Sequence, residues 1–281
     1  MALDLYRTAE QLEKATAHIS NVRQERARQM EIAIVALQTA DATTLNSRVH
    51  AAQGALAFVP AEAVEEPGLT HTPSSLPDDF IVVAVDGSHI DVNRHLPLRC
   101  SLINIGGCKL TYGAAPEAHM FSQPTLRTSD TELYLDDLDS TASRQPVEGA
   151  LMGLVRAVEE AKALADVVEE DDSSLPSLAL IDGTLVLWDL GGDRYPPYVR
   201  SQLVEDGLLA ALARIRRQSQ QKPTAAASYI SLPNSSEVSN LLRLSLCDYD
   251  PLGNCHQHCR TFIPGDRHCD VLNAFTDRDL F

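Results

Sequence analysis

The sequence predicts an α/β fold built on one mixed sheet, in which an antiparallel meander leads into alternating βα units. The run FIVVAV at 80–85 is a continuous apolar segment, typical of a strand that is covered on both faces, and SLALIDGTLVLWDL at 177–190 is another run with the pattern of a buried strand. The segment RCSLINIGGCKLTYG at 99–113 has two β-like stretches around Gly106 and Gly107, which indicates a hairpin. Helical patterns separate the later strands, as in βα units.

The remaining elements follow from hydrophobic periodicity and from the positions of glycine and proline. Residues 3–57 have a helical pattern, since no glycine precedes Gly54 and no proline precedes Pro60. Further helices are predicted over 144–169, 198–219 and 235–244, with a last strand over 224–232. Three strands followed by helix, strand, helix, strand and helix is the layout of an RNase H-like mixed sheet. Other α/β folds with an antiparallel edge stay open.

Composition divides the chain into three parts. Residues 1–58 form an N-terminal helical arm, which packs on the main domain or on a second copy of the chain. Residues 59–79 are rich in Pro, Ser, Thr and acidic residues and are predicted to be a linker. Residues 80–281 form the main domain, in which 247–269 is a Cys/His-rich insertion.

The charge balance excludes some kinds of partner. The 281 residues carry a formal net charge of −16, which argues against a protein held on nucleic acid or anionic membrane by its overall charge. A local basic groove around acidic metal ligands would still allow an enzyme to grip DNA. No apolar run approaches the length of a membrane span, and the amino terminus lacks the pattern of a signal peptide. We therefore expect a soluble cytoplasmic protein.

Two of the predicted strands end in the same signature. Asp86 follows the strand in VVAVDGSHI, and Asp182 follows the strand in ALIDGTLVLW. An Asp-Gly pair is often ordinary turn chemistry at a strand exit, which is the simpler interpretation of either motif alone. Two such motifs on neighbouring strands favour a functional site. Metal-dependent hydrolysis of phosphodiesters needs carboxylates from separate elements to hold one or two divalent cations.

A third carboxylate is expected from a helix that crosses the sheet, and Glu148 fits this position. It lies at the start of a predicted helix and heads an apolar stripe formed by Leu151, Met152 and Val155. A charge there is costly unless it is paired or bound to a metal. The alternative is a first-turn glutamate favoured by the helix dipole, with Arg144 as its ion-pair partner.

The ordered set of motifs resembles the NurA domain family, nucleases that work with the HerA hexameric translocase in processing DNA double-strand breaks. The resemblance rests on VVAVDGSHI, SRQPVEGALMGLVRAVEEA, LALIDGTLVLW, AASYISLPNSSEVSNLLRL and NAFTDRDLF, and covers residues 80–281. It implies an RNase H-like fold, Mn²⁺- or Mg²⁺-dependent 5′–3′ exonuclease and endonuclease activity on DNA, and a homodimer that docks on a HerA-like ATPase. By position it implies these metal ligands: Asp86, Glu148, Asp182 and Asp277.

The same resemblance implies further strands after the NAFTDRDLF segment, whereas this sequence stops at Phe281. We therefore expect either a fragment or a shortened product, which bears on the completeness of the site.

Two other functions stay open. One is a catalytically inactive nuclease-like adaptor for a partner ATPase. The other is an actin-like or sugar-kinase-like phosphotransferase, whose folds also place D-x-G-[S/T] turns at strand ends but which needs a duplicated domain and a longer chain.

Cysteine and histidine crowd into the segment 247–269. The spacing of its thiols, with three histidines interleaved, predicts a structural Zn²⁺ or iron–sulfur site. A plain loop of reduced cysteines is the alternative, because the spacing is not a standard pair of C-x₂-C motifs. Thiolates do not suit the Mn²⁺ or Mg²⁺ chemistry described above, so any metal here is structural. The four thiols belong to Cys247, Cys255, Cys259 and Cys269.

Basic residues are scarce, and several of them gather in ARIRRQSQQK at 213–222 beside the last predicted strand. This run is predicted to follow a phosphate backbone. The alternative is a solvated helix end, where cations suit the C-terminal dipole. The predicted DNA contacts are Arg214, Arg216, Arg217 and Lys222.

Overall fold

The computed structural model describes residues 4–52, 54–92, 98–137, 143–247, 268–273 and 275–281. The chain forms two compact units. The sheet unit is Ser74–Ser231, and the helical unit combines Met1–Pro73 with Leu232–Phe281. These bounds differ from the predicted ones, because the segment after Ser231 groups with the N-terminal arm rather than with the sheet.

The elements have the following bounds within the described residues. The helices are α1 (Leu5–Thr39), α2 (Ala42–Ala51), α3 (Asp130–Leu133), α4 (Ala150–Glu169), α5 (Pro197–Arg200), α6 (Ala210–Gln218), α7 (Glu237–Ser245) and α8 (Asp277–Leu280). A π-helical segment at Ser201–Leu209 joins α5 to α6, and 3₁₀ turns lie at Trp188–Leu190 and His268–Leu272. The strands are β1 (Phe80–Ile90), β2 (Ser101–Tyr112), β3 (Glu117–Arg127), β4 (Tyr134–Asp136), β5 (Arg144–Pro146), β6 (Ser177–Asp182) and β7 (Thr224–Tyr229).

The main sheet of the sheet unit has five strands in the order β3-β2-β1-β6-β7. The pairs β1–β2 and β2–β3 are antiparallel, whereas β1–β6 and β6–β7 are parallel. Parallel neighbours need a crossover connection, and α4 and α6 supply the two crossovers that lead into β6 and β7. The predicted meander followed by βα units, the RNase H-like mixed sheet, is confirmed.

The predicted hairpin at Gly106 and Gly107 is wrong. Strand β2 runs without interruption through both glycines, which face Asp86 and Val85 across the antiparallel ladder. The chain turns instead at Gly113, whose φ of 114° is readily adopted only by glycine. A glycine inside a strand often marks a site where a ligand or another part of the protein approaches the backbone closely. Gly106 and Gly107 are glycines of this kind and do not form a turn.

The helix predicted over 144–169 begins later than expected. Residues Arg144–Pro146 form β5, which pairs with β4, and α4 begins only at Ala150. Pro146 disfavours a helical conformation before it, and the N-cap Gly149 has a φ of 60°. The amide of Gly149 donates to Asp91 Oδ2 at 2.6 Å, which fixes the entry into α4.

One face of the main sheet carries the core. The buried side of α4 presents Leu151, Val155 and Val158 to inward-facing residues of β1, such as Val83 and Val85. Each such side chain contributes roughly 1.5–3 kcal/mol when fully buried. Within the described part of the sheet unit, α4 packs on β1, β2 and β6, and α6 packs on β7. The π-helical segment packs on α4 and α6.

The opposite face of the sheet is open. Met120 of β3 and Tyr229 of β7 are 79% and 67% exposed, and Leu126 is 61% exposed. Among the described residues of the sheet unit, no helix packs on this face.

The helical unit begins with two helices where the sequence predicted one. Asp4 caps α1, and Asp41 caps α2 by accepting a hydrogen bond from the Thr44 amide at 2.7 Å. Part of the predicted linker is anchored in this unit, because the Ala61 amide donates to the Glu237 carbonyl at 2.7 Å.

Among the described residues, none of the helices combines the length and the apolar character needed to cross a bilayer.

Candidate metal centre

Asp86 and Asp182 lie side by side at one edge of the main sheet. Val85 and Ile181 are direct partners in the parallel pair β1–β6. The next residues along these two strands, Asp86 and Asp182, are therefore also side by side. Both side chains are exposed. The prediction that the two Asp-Gly motifs belong to neighbouring strands is confirmed.

Strand alternation directs Asp86 to the open face of the sheet. Val83 and Val85 are buried beneath α4, and a Cβ built on Gly87 would meet Glu160 Oε1 at 2.4 Å. Gly87 therefore lies on the helix side, and the Cβ of Asp86, between Val85 and Gly87, lies on the open face. The absence of a side chain at Gly87 is what allows α4 to approach this end of β1.

Both aspartates line a cleft of about 650 Å³ that crosses the open face. Its floor is largely apolar and is formed by side chains and backbone of all five strands. Gly106, the cross-strand partner of Asp86, leaves a hollow beside that carboxylate. The cleft is lined by Ala84, Val85, Asp86, Gly87, Ser88, Asn104, Gly106, Gly107, Cys108, Met120, Leu180, Ile181, Asp182 and Tyr229.

A third carboxylate approaches from beneath the sheet, and sequence reasoning missed it. Glu160 of α4 is only 4% exposed, and its Oε1 accepts a hydrogen bond from Arg156 Nη1 at 2.6 Å. The amide of Gly87 also donates to this carboxylate. Arg156 donates in addition to the Gly87 carbonyl and lies 4.0 Å from Asp86 Oδ1. Arg156 and Glu160 together clamp the backbone that carries Asp86.

The electrostatics of this cluster are unbalanced. Burial raises the pKa of Glu160, Arg156 opposes that rise, and the nearby charges of Asp86 and Asp182 add to it. Asp86 and Glu160 thus share one guanidinium, that of Arg156, and Asp182 adds a third carboxylate whose charge acts on Glu160. A divalent cation held by the two aspartates would supply the missing positive charge, and carboxylate oxygens are the donors that Mn²⁺ and Mg²⁺ prefer.

The sequence did contain a signal for Glu160. It lies inside the apolar stripe of α4, between Val158 and Ala161, and Arg156 precedes it by one helical turn. A charge inside a buried stripe, with an opposite charge at i−4, is the pattern of a paired buried carboxylate. The adjacent Glu159 conceals the pattern, since periodicity alone does not tell which of the two faces the sheet.

Glu148 lies elsewhere. It precedes the N-cap of α4 and lines a second cavity of about 460 Å³ together with Asp91 and Arg194. Its Oε2 is 4.0 Å from Arg99 Nη2, whereas Arg144 pairs with Asp136 at 2.7 Å. The expectation that Glu148 heads the apolar stripe inside the helix is corrected, because the helix begins two residues later.

The structure does not gather the predicted ligands into one set. Among the described residues, no group of three or more His, Cys, Asp or Glu side chains is arranged to hold a metal ion. Asp86 and Asp182 share a cleft, but Glu148 does not line it. Asp277 belongs to the helical unit, where its Oδ1 accepts a hydrogen bond from the Ser239 amide at 2.9 Å near the start of α7.

The predicted Cys/His cluster lies mostly outside the described residues. Cys255 and Cys259 are not among them, while Cys247 and Cys269 are, and both are partly buried thiols. The predicted zinc or iron–sulfur site stays a prediction.

The predicted DNA-contacting cations fall into two groups. Arg214 is committed to Glu169 and Asp166, and these hydrogen bonds raise the pKa of its guanidinium. Lys222 is only 8% exposed, and its ammonium group contacts the Asp171 carboxylate. The prediction for Lys222 is corrected, because a buried ammonium that is already paired does not reach a phosphate backbone. Arg216 and Arg217 lie in the last turn of α6 and are exposed.

The fold and the cleft define a class: an RNase H-like α/β domain with paired carboxylates at one edge of its mixed sheet. The NurA domain family matches residues 80–274, more than half of the chain, and the chain belongs to this family. Family membership supports a nuclease.

Two solved structures are similar to the chain. The NurA nuclease from Sulfolobus solfataricus is 10% identical, with a TM-score of 0.36 over 87% of this chain and 67% of that one. LC9-RNase H1, a type 1 RNase H with the type 2 active-site motif, is also 10% identical, with a TM-score of 0.26 over 61% of this chain and 72% of that one. No curated protein sequence matches the chain.

Proposed function

We propose that the protein is a metal-dependent deoxyribonuclease whose centre is formed by Asp86 and Asp182. The observation that carries the proposal is their adjacency: two exposed carboxylates lie at the same level of neighbouring parallel strands, in a cleft on the open face of the sheet. A cation held there would act as a Lewis acid on the scissile phosphate and lower the pKa of water. Mn²⁺ is the proposed cation, with Mg²⁺ as a substitute.

The residues of the chain have separate tasks in this proposal. Asp86 and Asp182 supply the oxygen ligands. Glu160 accepts hydrogen bonds from Arg156 and from the Gly87 amide, and it thereby fixes the segment of β1 that carries Asp86. Arg156 and Glu160 are positioning residues, because they act on the centre through Asp86 and Gly87. Partners of this kind typically contribute 10–100-fold to metal affinity or activity.

Glu148 and Asp277 are kept as additional proposed ligands on the strength of the family resemblance alone. Glu148 lines a cavity next to the start of α4 that also contains Asp91. A change in local geometry would be needed for Glu148 to join Asp86 and Asp182 at one cation. A direct comparison of Glu148→Gln with Glu160→Gln decides which of the two carboxylates the reaction uses.

We further propose that a HerA-like hexameric ATPase delivers DNA to the cleft and that the protein works as a homodimer in DNA end processing. The net charge of −16 supports dependence on a partner, since an acidic protein has a weak electrostatic hold on DNA. Arg214 and Lys222 are already paired with carboxylates, which leaves Arg216 and Arg217 as the proposed phosphate contacts of this run. A DNA affinity that is the same with and without the ATPase would contradict the dependence.

The proposed activity is tested by digestion of end-labelled single- and double-stranded DNA in Mn²⁺, Mg²⁺ and EDTA. We expect cleavage in Mn²⁺ that EDTA abolishes and that Asp86→Asn and Asp182→Asn both remove. Asp189→Asn is the matched control, because Asp189 is an exposed aspartate in the 3₁₀ turn after β6 and lines neither cavity. Absence of cleavage in every metal would contradict the nuclease and favour the adaptor.

A further inference from the structure

The open cleft has an apolar part whose role the paired aspartates do not explain. On the β2–β3 side of Asp86 lie Gly106, Cys108 and Met120, three cleft residues that carry no charge. Cys108 and Met120 are direct partners in the ladder, and Gly106 is the direct partner of Asp86. A neutral shelf therefore extends from the carboxylate for two strands across the sheet.

Gly106 keeps the shelf free without any need for a special backbone conformation. Its φ is not in the positive range, and a Cβ built on it would meet nothing closer than the Phe121 carbonyl at 3.6 Å. Any L-residue could occupy this position in the strand. The effect of glycine is to leave space above the sheet beside Asp86, as expected where a ligand approaches the backbone closely.

The shelf has one exposed wall and one polar edge. Met120 is 79% exposed, and its flexible, polarisable thioether is suited to contact with an aromatic ring. Asn104 lies at the other side of Gly106, and its Oδ1 accepts a hydrogen bond from Ser122 Oγ at 2.9 Å. Because Oδ1 accepts from Ser122, a hydrogen bond donated by this amide to a ligand would come from its NH₂ group.

We propose that this shelf binds an unpaired nucleobase of the nucleotide next to the scissile phosphate. The inference rests on the proposed function, because the aspartates mark where the phosphate would lie. The charge of the cleft points to this occupant: the base is the uncharged and flat part of a nucleotide, and the aspartates repel any anionic group that has no cation. The base lies on Gly106 and Cys108, Met120 packs against its face, and the Asn104 amide donates to an acceptor on its edge.

The cleft size agrees with this occupant, since about 650 Å³ falls within the range of sites that bind small ligands. A base that lies on the sheet is separated from its complementary strand. The shelf therefore accepts a base only where the strand is unpaired, at an end or in a single-stranded stretch.

The test measures binding without cleavage. Two fluorescent single strands of equal length are compared, one of thymidines and one of abasic residues, with Ca²⁺ in place of Mn²⁺. One stacked base is expected to be worth about tenfold in affinity. We expect wild-type protein to bind the thymidine strand about tenfold more tightly than the abasic strand. Gly106→Val, which fills the shelf, and Met120→Ala, which removes its wall, should both lose this preference.

The control is Ala118→Val. Ala118 is an exposed residue of β3 on the same face as Met120, and it does not line the cleft, so Ala118→Val places a valine side chain on this face outside the shelf. Met120→Ala changes an exposed side chain and leaves the fold intact, which keeps the test valid if Gly106→Val is unstable. Equal binding of the two strands by wild-type protein, or an unchanged preference in Met120→Ala, would overturn the base shelf. DNA cleavage is measured separately. If the protein cleaves DNA but binds the two strands equally, the base shelf is overturned and the proposed nuclease activity is not.

Discussion

Two acidic clusters beside α4 make an informative comparison, one at the middle of the helix and one just after its last residue. The first, called the cleft cluster below, combines Asp86 and Asp182 of the cleft with Glu160 on the helix side of the sheet. Its one guanidinium, that of Arg156, pairs with Asp86 and Glu160. The second is the anchored cluster, in which Asp171 is bound by the ammonium groups of Lys109 and Lys222. Asp171 is 4% exposed, whereas Asp86 is 79% exposed.

The difference separates a structural role from a functional one. Burial alone would raise the pKa of Asp171, but hydrogen bonds from Lys109 and Lys222 outweigh it and lower that pKa to about 2. In the cleft cluster the balance is reversed, and the pKa of Glu160 is raised. A carboxylate that the fold has already neutralised holds the fold together, while carboxylates left in excess at an open cleft attract a cation.

The largest expected effect is on activity in the cleft cluster. Asp86→Asn should lower the rate of DNA cleavage in Mn²⁺ at least about 100-fold, since the centre loses one of its two principal ligands. The thermal unfolding midpoint should stay the same or rise, because an exposed charge is removed from an acidic cluster. The rate is measured on end-labelled DNA and the midpoint by circular dichroism. A large loss of stability would show that Asp86 belongs with the anchored type of cluster.

The anchored cluster should show the opposite response. Asp171→Asn should lower the free energy of unfolding by about 3 kcal/mol, because it leaves the buried ammonium of Lys222 without its counter-charge. Cleavage per folded molecule should not change. Urea unfolding at neutral pH measures the loss, and Asp172→Asn, the adjacent aspartate, is the control. Equal stability of the two variants would contradict the structural role.

The same cluster predicts a pH dependence. The pKa of Asp171 in the folded protein, about 2, is below its unfolded value of about 3.9. Its contribution to stability is therefore complete above about pH 4 and is lost as the pH falls toward 2. We expect urea midpoints of wild-type protein to fall in that window more steeply than those of Asp171→Asn. Parallel pH profiles would show that Asp171 does not carry the effect.

A smaller effect is expected for the positioning residues. Glu160→Gln should reduce cleavage about tenfold and raise the Mn²⁺ concentration needed for half-maximal rate, because the clamp on Gly87 is weakened. Glu148→Gln should change both quantities less, since Glu148 does not line the cleft of the aspartates. Titrations of Mn²⁺ at fixed DNA concentration compare the two. A larger loss in Glu148→Gln would return Glu148 to the centre and assign Glu160 to the fold alone.

The smallest effect is expected in the basic run. Arg216→Ala and Arg217→Ala should each weaken DNA binding a few-fold and reduce the slope of log affinity against log salt by about one. Arg214→Met should leave the slope unchanged, because its guanidinium is held by Glu169 and Asp166. Affinities at several salt concentrations measure the slopes. A reduced slope in Arg214→Met would show that its ion pairs open to bind phosphate.

The sheet and the aspartate pair could be predicted from the sequence because both depend on local patterns. Continuous apolar runs gave β1 and β6, and the parallel register then placed the residues after Val85 and Ile181 side by side. The glycines of β2 misled the hairpin prediction. A glycine pair is compatible with a turn and with a strand beside a cleft, and only the pairing of Gly106 with Asp86 distinguishes the two.

The parts that could not be predicted depend on which way a helix faces and on long-range pairing. Periodicity alone does not tell whether Glu159 or Glu160 faces the sheet, and the close approach of Glu160 to Gly87 of β1 decides it. Lys222 carries the positive charge expected of a DNA contact, but its ammonium group is bound by Asp171, which is distant in sequence. The grouping of the C-terminal segment with α1 and α2 likewise depends on packing between distant parts of the chain, such as the core cluster that contains both Ala33 and Leu242.

The most direct test of the central claim is the binding of Mn²⁺ without DNA. Isothermal titration calorimetry would compare wild-type protein with Asp86→Asn and Asp182→Asn, with Asp189→Asn as the control. We predict that Mn²⁺ binds to wild-type protein and to Asp189→Asn with the same affinity, and at least about tenfold more weakly to either cleft variant. Equal affinities in all four proteins would contradict the assignment of Asp86 and Asp182 as the metal centre.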